Sequence, residues 1–378
     1  MARKRGNGEG SITKRKDGLY MARFTVETAT GSKRKTVYAK TRKEASKKMT
    51  DAMAEASKGI MADGGPKTVG AFLTAWLENT VRGSVRKSTY DRNESLCRVH
   101  LISALGTKKL KTLKAQDVAG FYRHKLDQGC SPASVRKMHE TLHKALKQAV
   151  RWGYITRNPA DDVDPPRAHT EEVAPLARDE ARRLLHAASE AADPLEALYV
   201  VALHTGLRQG ELLALRWEDV DLEARTLQVR RTVTKDGGKL GIGPTKTAKG
   251  RRTVKLTRDA TRALRDHLTQ QLEEIDRLGD YFQDNGLVFC TGKGTLINPT
   301  NLRKRSFAPL LVRAGLPHMT FHQLRHTAAT ILLLKNVNPK IVSEMLGHAS
   351  IAITLDTYSH VLPNMQDSAV EAMEEAFS

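Results

Sequence analysis

Three cysteines in 378 residues are too few for a disulfide framework, and Cys97, Cys130 and Cys290 lie too far apart for a zinc module. Their scarcity implies a reducing compartment. No apolar run approaches the ~18 residues that a membrane-spanning helix needs. The basic N-terminus lacks the apolar centre of a signal peptide, so a location in the cytoplasm is expected. The clustered carboxylates that a metal-dependent nuclease or transposase needs are not displayed. Gly6-Asn7-Gly8-Glu9-Gly10 looks like a nucleotide loop only superficially, because no strand precedes it and no βαβ unit follows. No internal repeat or low-complexity tract stands out.

Acidic residues are also in deficit, 42 against 62 Lys and Arg, for a net charge of +20. Such a chain selects an anionic partner, and nucleic acid is favoured over membrane. The excess is uneven. Residues 1–60 hold 16 Lys and Arg against 6 Asp and Glu, so half of it lies in the first sixth of the chain. That segment is patterned as well as basic. After an arm, Met1 to Asn7, Ser11 and Ile12 open a strand that Lys16-Asp17-Gly18 turns. Leu19 to Glu27 alternates, Thr30-Gly31-Ser32 turns again, and Lys33 to Ala39 is a basic strand. Thr41 can cap a helix from Arg42 to Lys58. A small basic sheet of this kind can lay one face in a DNA major groove.

Ala62 to Lys67 is a Gly-containing linker. A helix from Thr68 follows, with Val69, Phe72, Leu73, Trp76 and Leu77 on one face. Three more are predicted at Ser88 to Ser103, Gln116 to Asp127 and Ala133 to Trp152, the last capped by Ser131-Pro132. Asn158 to Pro175 is a second, proline-rich linker. Beyond it the pattern is α+β. Helices are expected at 178–189, 194–204 and from Arg208 to about Arg216, with a strand at 226–233 and a loop at 243–250. A strand at 252–256, a helix at 258–277, a short strand at 287–289 and a helix at 299–313 follow. The expected domains are 1–60, 68–155 and 175–362, joined by linkers at 61–67 and 156–174 and followed by a tail at 363–378. Val370, Met373 and Phe377 give that tail an apolar side, and exchange between protomers is expected of it.

From Phe321 to His360 the apolar residues again fall at helical spacing, and Asn338-Pro339 and Gly347-His348 divide the stretch into three short helices. Residues with chemical capacity sit at the helix ends. His322 and Arg325 are three apart and share a face. A guanidinium grips phosphate through a planar fork, and an imidazole beside it can move a proton. His322 and His326 have the i, i+4 spacing of a zinc pair, but Gln323 replaces the metalloprotease Glu and no third ligand is evident. No metal and no cofactor are expected.

Four features, in order, carry a resemblance. They are Thr205-Gly206-Leu207-Arg208-Gln209-Gly210-Glu211, Lys246 within Pro244-Thr245-Lys246-Thr247, His322-Gln323-Leu324-Arg325-His326, and Leu346-Gly347-His348 with Tyr358 ten residues on. Together they resemble the tyrosine recombinase family, in particular the integrases of phages and integrative elements. The resemblance covers 174–360 strongly, extends over 68–155 as a helical core-type DNA-binding domain, and reaches 1–60 more loosely as an arm-type domain. The implied fold is multidomain: a three-stranded sheet with one helix, a helical bundle, and a mainly α (α+β) catalytic domain. The implied activity is strand cleavage and rejoining through a 3′-phosphotyrosine, integrating and excising a mobile or viral genome. Implied roles follow. Arg208 and Arg325 clamp the scissile phosphate, Tyr358 attacks phosphorus, and His322 takes its proton. Lys246 protonates the leaving 5′ oxygen, His348 hydrogen-bonds the phosphate, and Glu211 orients its neighbours. His326 is given a structural role. The implied partners are double-stranded DNA at core and arm sites, three further copies of the chain, a DNA-bending accessory protein and an excisionase, in a bacterial host's nucleoid. A dimer-resolving relative, a non-catalytic DNA-binding protein of this fold, and a metal-dependent transposase are the competing readings.

Overall fold

The computed structural model describes residues 10–28, 31–57, 66–167, 175–236, 238–245, 248–358, 370 and 373–377. Met1–Thr170 and Glu171–Ser378 form two compact units.

In the first unit, β1 (Ser11–Lys14), β2 (Tyr20–Thr28) and β3 (Gly31–Ala39) form an antiparallel sheet in sequence order. Tyr20 pairs with both Lys14 and Ala39, which sets the register. Alternation then decides the faces. Ala22 and Phe24 point inward, while Arg23 and Thr25 point out, beside Arg34, Thr36 and Tyr38 on β3. The inner face is covered by α1 (Arg42–Ser57), with Ala45 and Met49 against Ala22, Ala39 and Val37. Thr41 starts that helix as expected, its hydroxyl accepting from the Glu44 amide at 3.2 Å.

The helical part of this unit comprises α2 (Val69–Trp76), α3 (Lys87–Leu96), α4 (Ser103–Leu105), α5 (Ala115–Asp127) and α6 (Pro132–Arg151). Thr68 and Ser131 cap α2 and α6 through their hydroxyls. The expected second helix is here α3 and α4 joined by a π turn at Cys97–Ile102. Its core joins Phe72, Leu73, Trp76, Leu101, Met138 and Leu142.

The second unit is built around α8 (Glu196–Thr205), nearly every side chain of which is buried. Packed on it are α7 (Arg178–Glu190), α10 (Arg258–Leu278) and α13 (His322–Leu334). Between them run α9 (Gln209–Leu212), a small antiparallel sheet of β4 (Val220–Asp221), β5 (Thr226–Val229) and β8 (Arg252–Lys255), and a hairpin of β6 (Arg231–Asp236) and β7 (Lys239–Pro244). α11 (Pro299–Asn301) and α12 (Ala308–Arg313) are linked by a π turn. α14 (Pro339–Leu346) and α15 (Ile351–Tyr358) close the described fold.

The expected fold class, a small three-stranded sheet, a helical bundle and a mainly α catalytic domain, is present, and four local expectations change. The strand expected at 226–233 breaks at Arg230. Arg231 reaches the buried Asp219 at 2.6 Å and Arg230 approaches it at 3.5 Å, so one alternating strand becomes two strands in different sheets. The loop expected from 243 is partly strand, because β7 pairs with β6 as far as Pro244. The helix expected to run to Arg216 stops at Leu212, and Arg216 bridges to Leu287 instead. That bridge is all that forms of the strand expected at 287–289. Leu212, Leu213, Ala214 and Leu215 are all buried, an unbroken run with no helical period. Among the described residues no helix is long and apolar enough to cross a membrane. Of the expected tail from 363, only 370 and 373–377 are described, and Val370, Met373 and Phe377 are exposed there.

Candidate active site

Two left-handed glycines position the two expected clamp arginines. α8 ends at Gly206 (φ 63°) and α14 ends at Gly347 (φ 69°), the conformation that glycine adopts most cheaply. Each turn frees a carbonyl at the negative end of a helix. The Gly206 carbonyl accepts from Arg325 Nη1 at 2.9 Å, and the Gly347 carbonyl accepts from Arg208 Nη2 at 3.2 Å.

Glu211 ties this arrangement together. It is 4% exposed, and it accepts from Arg208 Nη1 at 2.7 Å, the Arg208 amide at 3.0 Å and Arg252 Nη2 at 2.9 Å. Burial alone would raise its pKa, but the hydrogen bonds and charges of Arg252 and Arg208 outweigh that and hold the carboxyl below its usual range. Arg252 was not singled out from the sequence. Its Nε also donates to the Met345 carbonyl and its Nη1 to the Gly250 carbonyl, so β8, α9 and α14 meet on one guanidinium. Nothing in the Arg251-Arg252 pair marked this position as different from other basic strand residues.

Arg325 is 2% exposed, and its Nη2 has no hydrogen-bond partner among the described residues. Burial and the positive charge of Arg208 depress it to about 9, still cationic at neutral pH. A buried guanidinium nitrogen without an acceptor costs on the order of 1–3 kcal/mol or more. An anionic oxygen placed there would remove that cost.

The imidazoles surround this charge. Burial, then His326, Arg325 and Arg208, bring His322 down to about 4. His348 sits at the start of the turn after α14, its Nδ1 2.7 Å from the Thr354 hydroxyl, and burial with Arg325 and Arg208 lowers it to about 4. Both are neutral at pH 7. Tyr358, at the C-terminal end of α15, is 3% exposed and packs on Ala329, Leu333, Val342 and Leu346. Burial pushes its phenol up to about 12, against the pull of Arg325.

The group that meets the Tyr358 hydroxyl is His326, with Nδ1 at 2.7 Å. His322, the expected proton acceptor, instead lies edge-on to the His326 ring at a centroid distance of 4.9 Å. The i, i+4 spacing that suggested a metal pair therefore produces a ring contact. No group of three or more His, Cys, Asp or Glu among the described residues is placed to hold a metal ion. The structure thus brings Arg208, Glu211, His322, Arg325, His348 and Tyr358 to one site. Lys246 lies outside the described residues. Its neighbour Lys249 donates to the Ala349 carbonyl at 2.7 Å, next to His348.

The chain as a whole is similar to known proteins. Residues 175–365 match the phage integrase family, and residues 68–126 match the phage integrase N-terminal SAM-like domain. A protein described as tyrosine recombinase XerC-like, from Caldanaerobacter subterraneus subsp. tengcongensis, is 32% identical over 363 residues, covering 91% of this chain and 92% of the relative. An integrase of Saccharopolyspora erythraea is 26% identical over 428 residues, covering 98% of this chain and 97% of its own length. The Tn1549 transposon integrase bound to a circular intermediate DNA superposes with a TM-score of 0.70 at 23% identity, over 82% of this chain and all of that one. A lambda integrase tetramer bound to a Holliday junction gives 0.59 at 20% identity, over 94% and 96%. At these identities the two structures establish the fold.

Proposed function

The chain belongs to the phage integrase family, the tyrosine recombinases, and from that premise we propose how its site exchanges strands. The protein is a site-specific DNA recombinase of the integrase type, an enzyme that integrates and excises mobile DNA. In the proposed reaction a scissile phosphate seats its non-bridging oxygens on Arg208 and the unpartnered Nη2 of Arg325. The Tyr358 hydroxyl attacks phosphorus in line, the bond to the 5′ oxygen breaks, and a 3′-phosphotyrosine forms. The 5′ oxygen takes its proton from the Lys246 ammonium. His322 and His348, neutral at pH 7, complete the wall around the phosphate, and His348 donates a hydrogen bond to it. Glu211 holds Arg208 and Arg252 in place. A second strand's 5′ hydroxyl then attacks the phosphotyrosine and releases Tyr358. The link conserves the energy of the broken phosphodiester bond for rejoining, so no nucleotide cofactor is needed.

The single observation that carries this reading is the buried Arg325 guanidinium. It has a free nitrogen among the described residues, a second arginine beside it, and a buried tyrosine within its electrostatic reach. Preorganised donors of this kind are each worth about 10²–10³ in rate.

We extend the proposal to the rest of the chain. Residues 68–155 grip the core site, 1–60 bind separate arm sites, and 175–362 carry the chemistry. The outward face of the N-terminal sheet, with Arg23, Arg34 and several threonines, supports the arm role. Four copies assemble on double-stranded DNA in the bacterial nucleoid, helped by a DNA-bending protein and an excisionase and linked by exchanged tails at 363–378. The XerC-like relative keeps dimer resolution as a second reading. The N-terminal sheet favours integration, because a second DNA-binding module lets one protein bridge two kinds of site.

Covalent trapping tests the reading. Nicked duplexes carrying the ends of the element are incubated with the protein in EDTA and run on a denaturing gel. A protein–DNA adduct that disappears in Tyr358→Phe is the expected result. An adduct that persists in Tyr358→Phe, or one that forms only with added magnesium, would overturn it.

A further inference from the structure

We propose that His326 is a catalytic residue, the group that takes the proton from Tyr358 when the strand is cut and returns it when the strand is resealed. The inference rests on Tyr358 being the nucleophile, and it assigns a chemical role to a residue whose sequence context gave it only a structural one.

The geometry is direct. His326 Nδ1 lies 2.7 Å from the Tyr358 hydroxyl oxygen, and the two rings are inclined at 53° with centroids 5.7 Å apart. A general base must stand within hydrogen-bond reach of the proton it removes, and among the described residues His326 is the side chain that does. Its position is fixed. The neighbouring Arg325 is anchored on the Gly206 carbonyl, and the next residue, Thr327, bonds the Gln323 carbonyl and the Leu176 amide. An edge-on contact with His322, at a centroid distance of 4.9 Å, packs against the same ring. With its proton on Nε2, His326 presents a free lone pair at Nδ1, and the phenol donates to it.

The charge balance favours the same role. The groups around His326 are Arg325 and His322 on its own helix, Tyr358 on α15, and His348 after α14. Burial and then Arg325 lower its pKa, so the ring is neutral and ready to accept at pH 7. A bound phosphodiester would place a negative charge on Arg325 and lift the main electrostatic objection to an imidazolium. The base is therefore weak in the empty site and stronger once substrate arrives.

In the cleavage step the Oη–P bond forms, the P–O5′ bond breaks, and the phenolic proton passes to His326 Nδ1. The leaving oxygen is protonated separately, by the ammonium proposed at Lys246. In resealing, the incoming 5′ hydroxyl attacks phosphorus and gives its proton to the amine left at Lys246, the P–Oη bond breaks, and the imidazolium returns its proton to the tyrosinate.

The test uses full-length protein on the same nicked duplexes. His326→Gln and His326→Phe are compared with wild type, with duplex binding measured in parallel as a check on folding. Single-turnover adduct formation should fall about 10²–10⁴-fold in both, the usual contribution of a positioned base, while binding holds. A more acidic phenol needs less help, so a fluorinated tyrosine at position 358 should restore much of the lost rate in the His326 variants. A packing role for His326 would give no such rescue. Unchanged adduct formation in both variants would overturn the proposal and leave Tyr358 as nucleophile untouched. Fluorotyrosine rescue of His322→Gln but not of His326→Gln would transfer the role to His322. Absence of any Tyr358-dependent adduct in wild type would remove the parent reading and this inference with it.

Discussion

Arg325 and the imidazoles around it share one electrostatic conflict, cationic and neutral groups crowded where water is scarce. The sign of its effect on stability follows from linkage. His322 and His348 titrate near 6.5 when the chain is unfolded and at about 4 when it is folded. Across that window the unfolded chain binds more protons, so stability rises with pH. The contribution is complete above pH 6.5 and is lost as pH falls towards 4. His322 faces Arg325, Arg208, Glu211 and His326, and His348 faces Arg325, Arg208, Arg252 and His326. Glu211, held below its usual range, adds to the loss only at the acid end. Thermal unfolding midpoints should therefore drop as buffer pH is lowered through this window, and bound duplex DNA should flatten the drop. A midpoint that is constant or rises on acidification would contradict the arrangement of charge at the site. These residues were legible in the sequence because their chemistry depends on identity and order, which a motif preserves. His326 was legible as a residue but not as a partner. Its contact with Tyr358 spans 32 positions and depends on how α15 folds back onto α13.

At the scale of elements, the clamp is a pair of helix C-termini joined across the site. Gly206 ends α8 under Arg325, and Gly347 ends α14 under Arg208. A Cβ on Gly347 would meet Arg252 Nη1 at 2.9 Å and the Lys249 carbonyl at 3.1 Å, in a backbone region that L side chains adopt at a cost. Gly347→Ala should lose about 1–3 kcal/mol of stability through strain. It should also slow adduct formation by more than its effect on DNA binding, because Arg208 loses its fixed acceptor. Gly129→Ala is the matched control. Gly129 has φ 82° after α5 and open space around its would-be Cβ, so strain without loss of cleavage is expected there. Chemical denaturation and single-turnover trapping on both variants separate the two effects, and equal loss of cleavage in both would refute the positioning role. The three helices from His322 to Tyr358 could be read directly, because their breaks coincide with Asn338-Pro339 and Gly347, where local chemistry decides. Asn338 caps α14 as that chemistry requires, accepting from the Lys340 amide at 2.8 Å. The break at Arg230 could not be read, since it answers to a buried Asp219 eleven residues earlier in sequence and invisible to local alternation.

For the whole molecule, the decisive question is which chain supplies the nucleophile to which clamp. Tyr358 packs on Ala329 and Leu333 of α13 and on Val342 and Leu346 of α14, and bonds His326 of the same chain. Arg208 is fixed to Gly347 of that chain as well. From this seat we expect the nucleophile to serve its own clamp. Mixing tests it. Arg208→Ala protein keeps its tyrosine, and Tyr358→Phe protein keeps its arginines. If cleavage is in cis, no mixed assembly contains a complete site, and adduct yield from the mixture stays at the level of the two variants alone. If the tyrosine were delivered to a neighbouring protomer, mixed assemblies would regain cleavage through the wild-type tyrosine of one chain and the intact arginines of the other. Recovery on mixing would mean that the chain from Ile351 to Tyr358 leaves the seat seen here when the protein assembles on DNA. The His326 contact would then belong to the protomer before assembly, and the proton acceptor for cleavage would have to come from the partner.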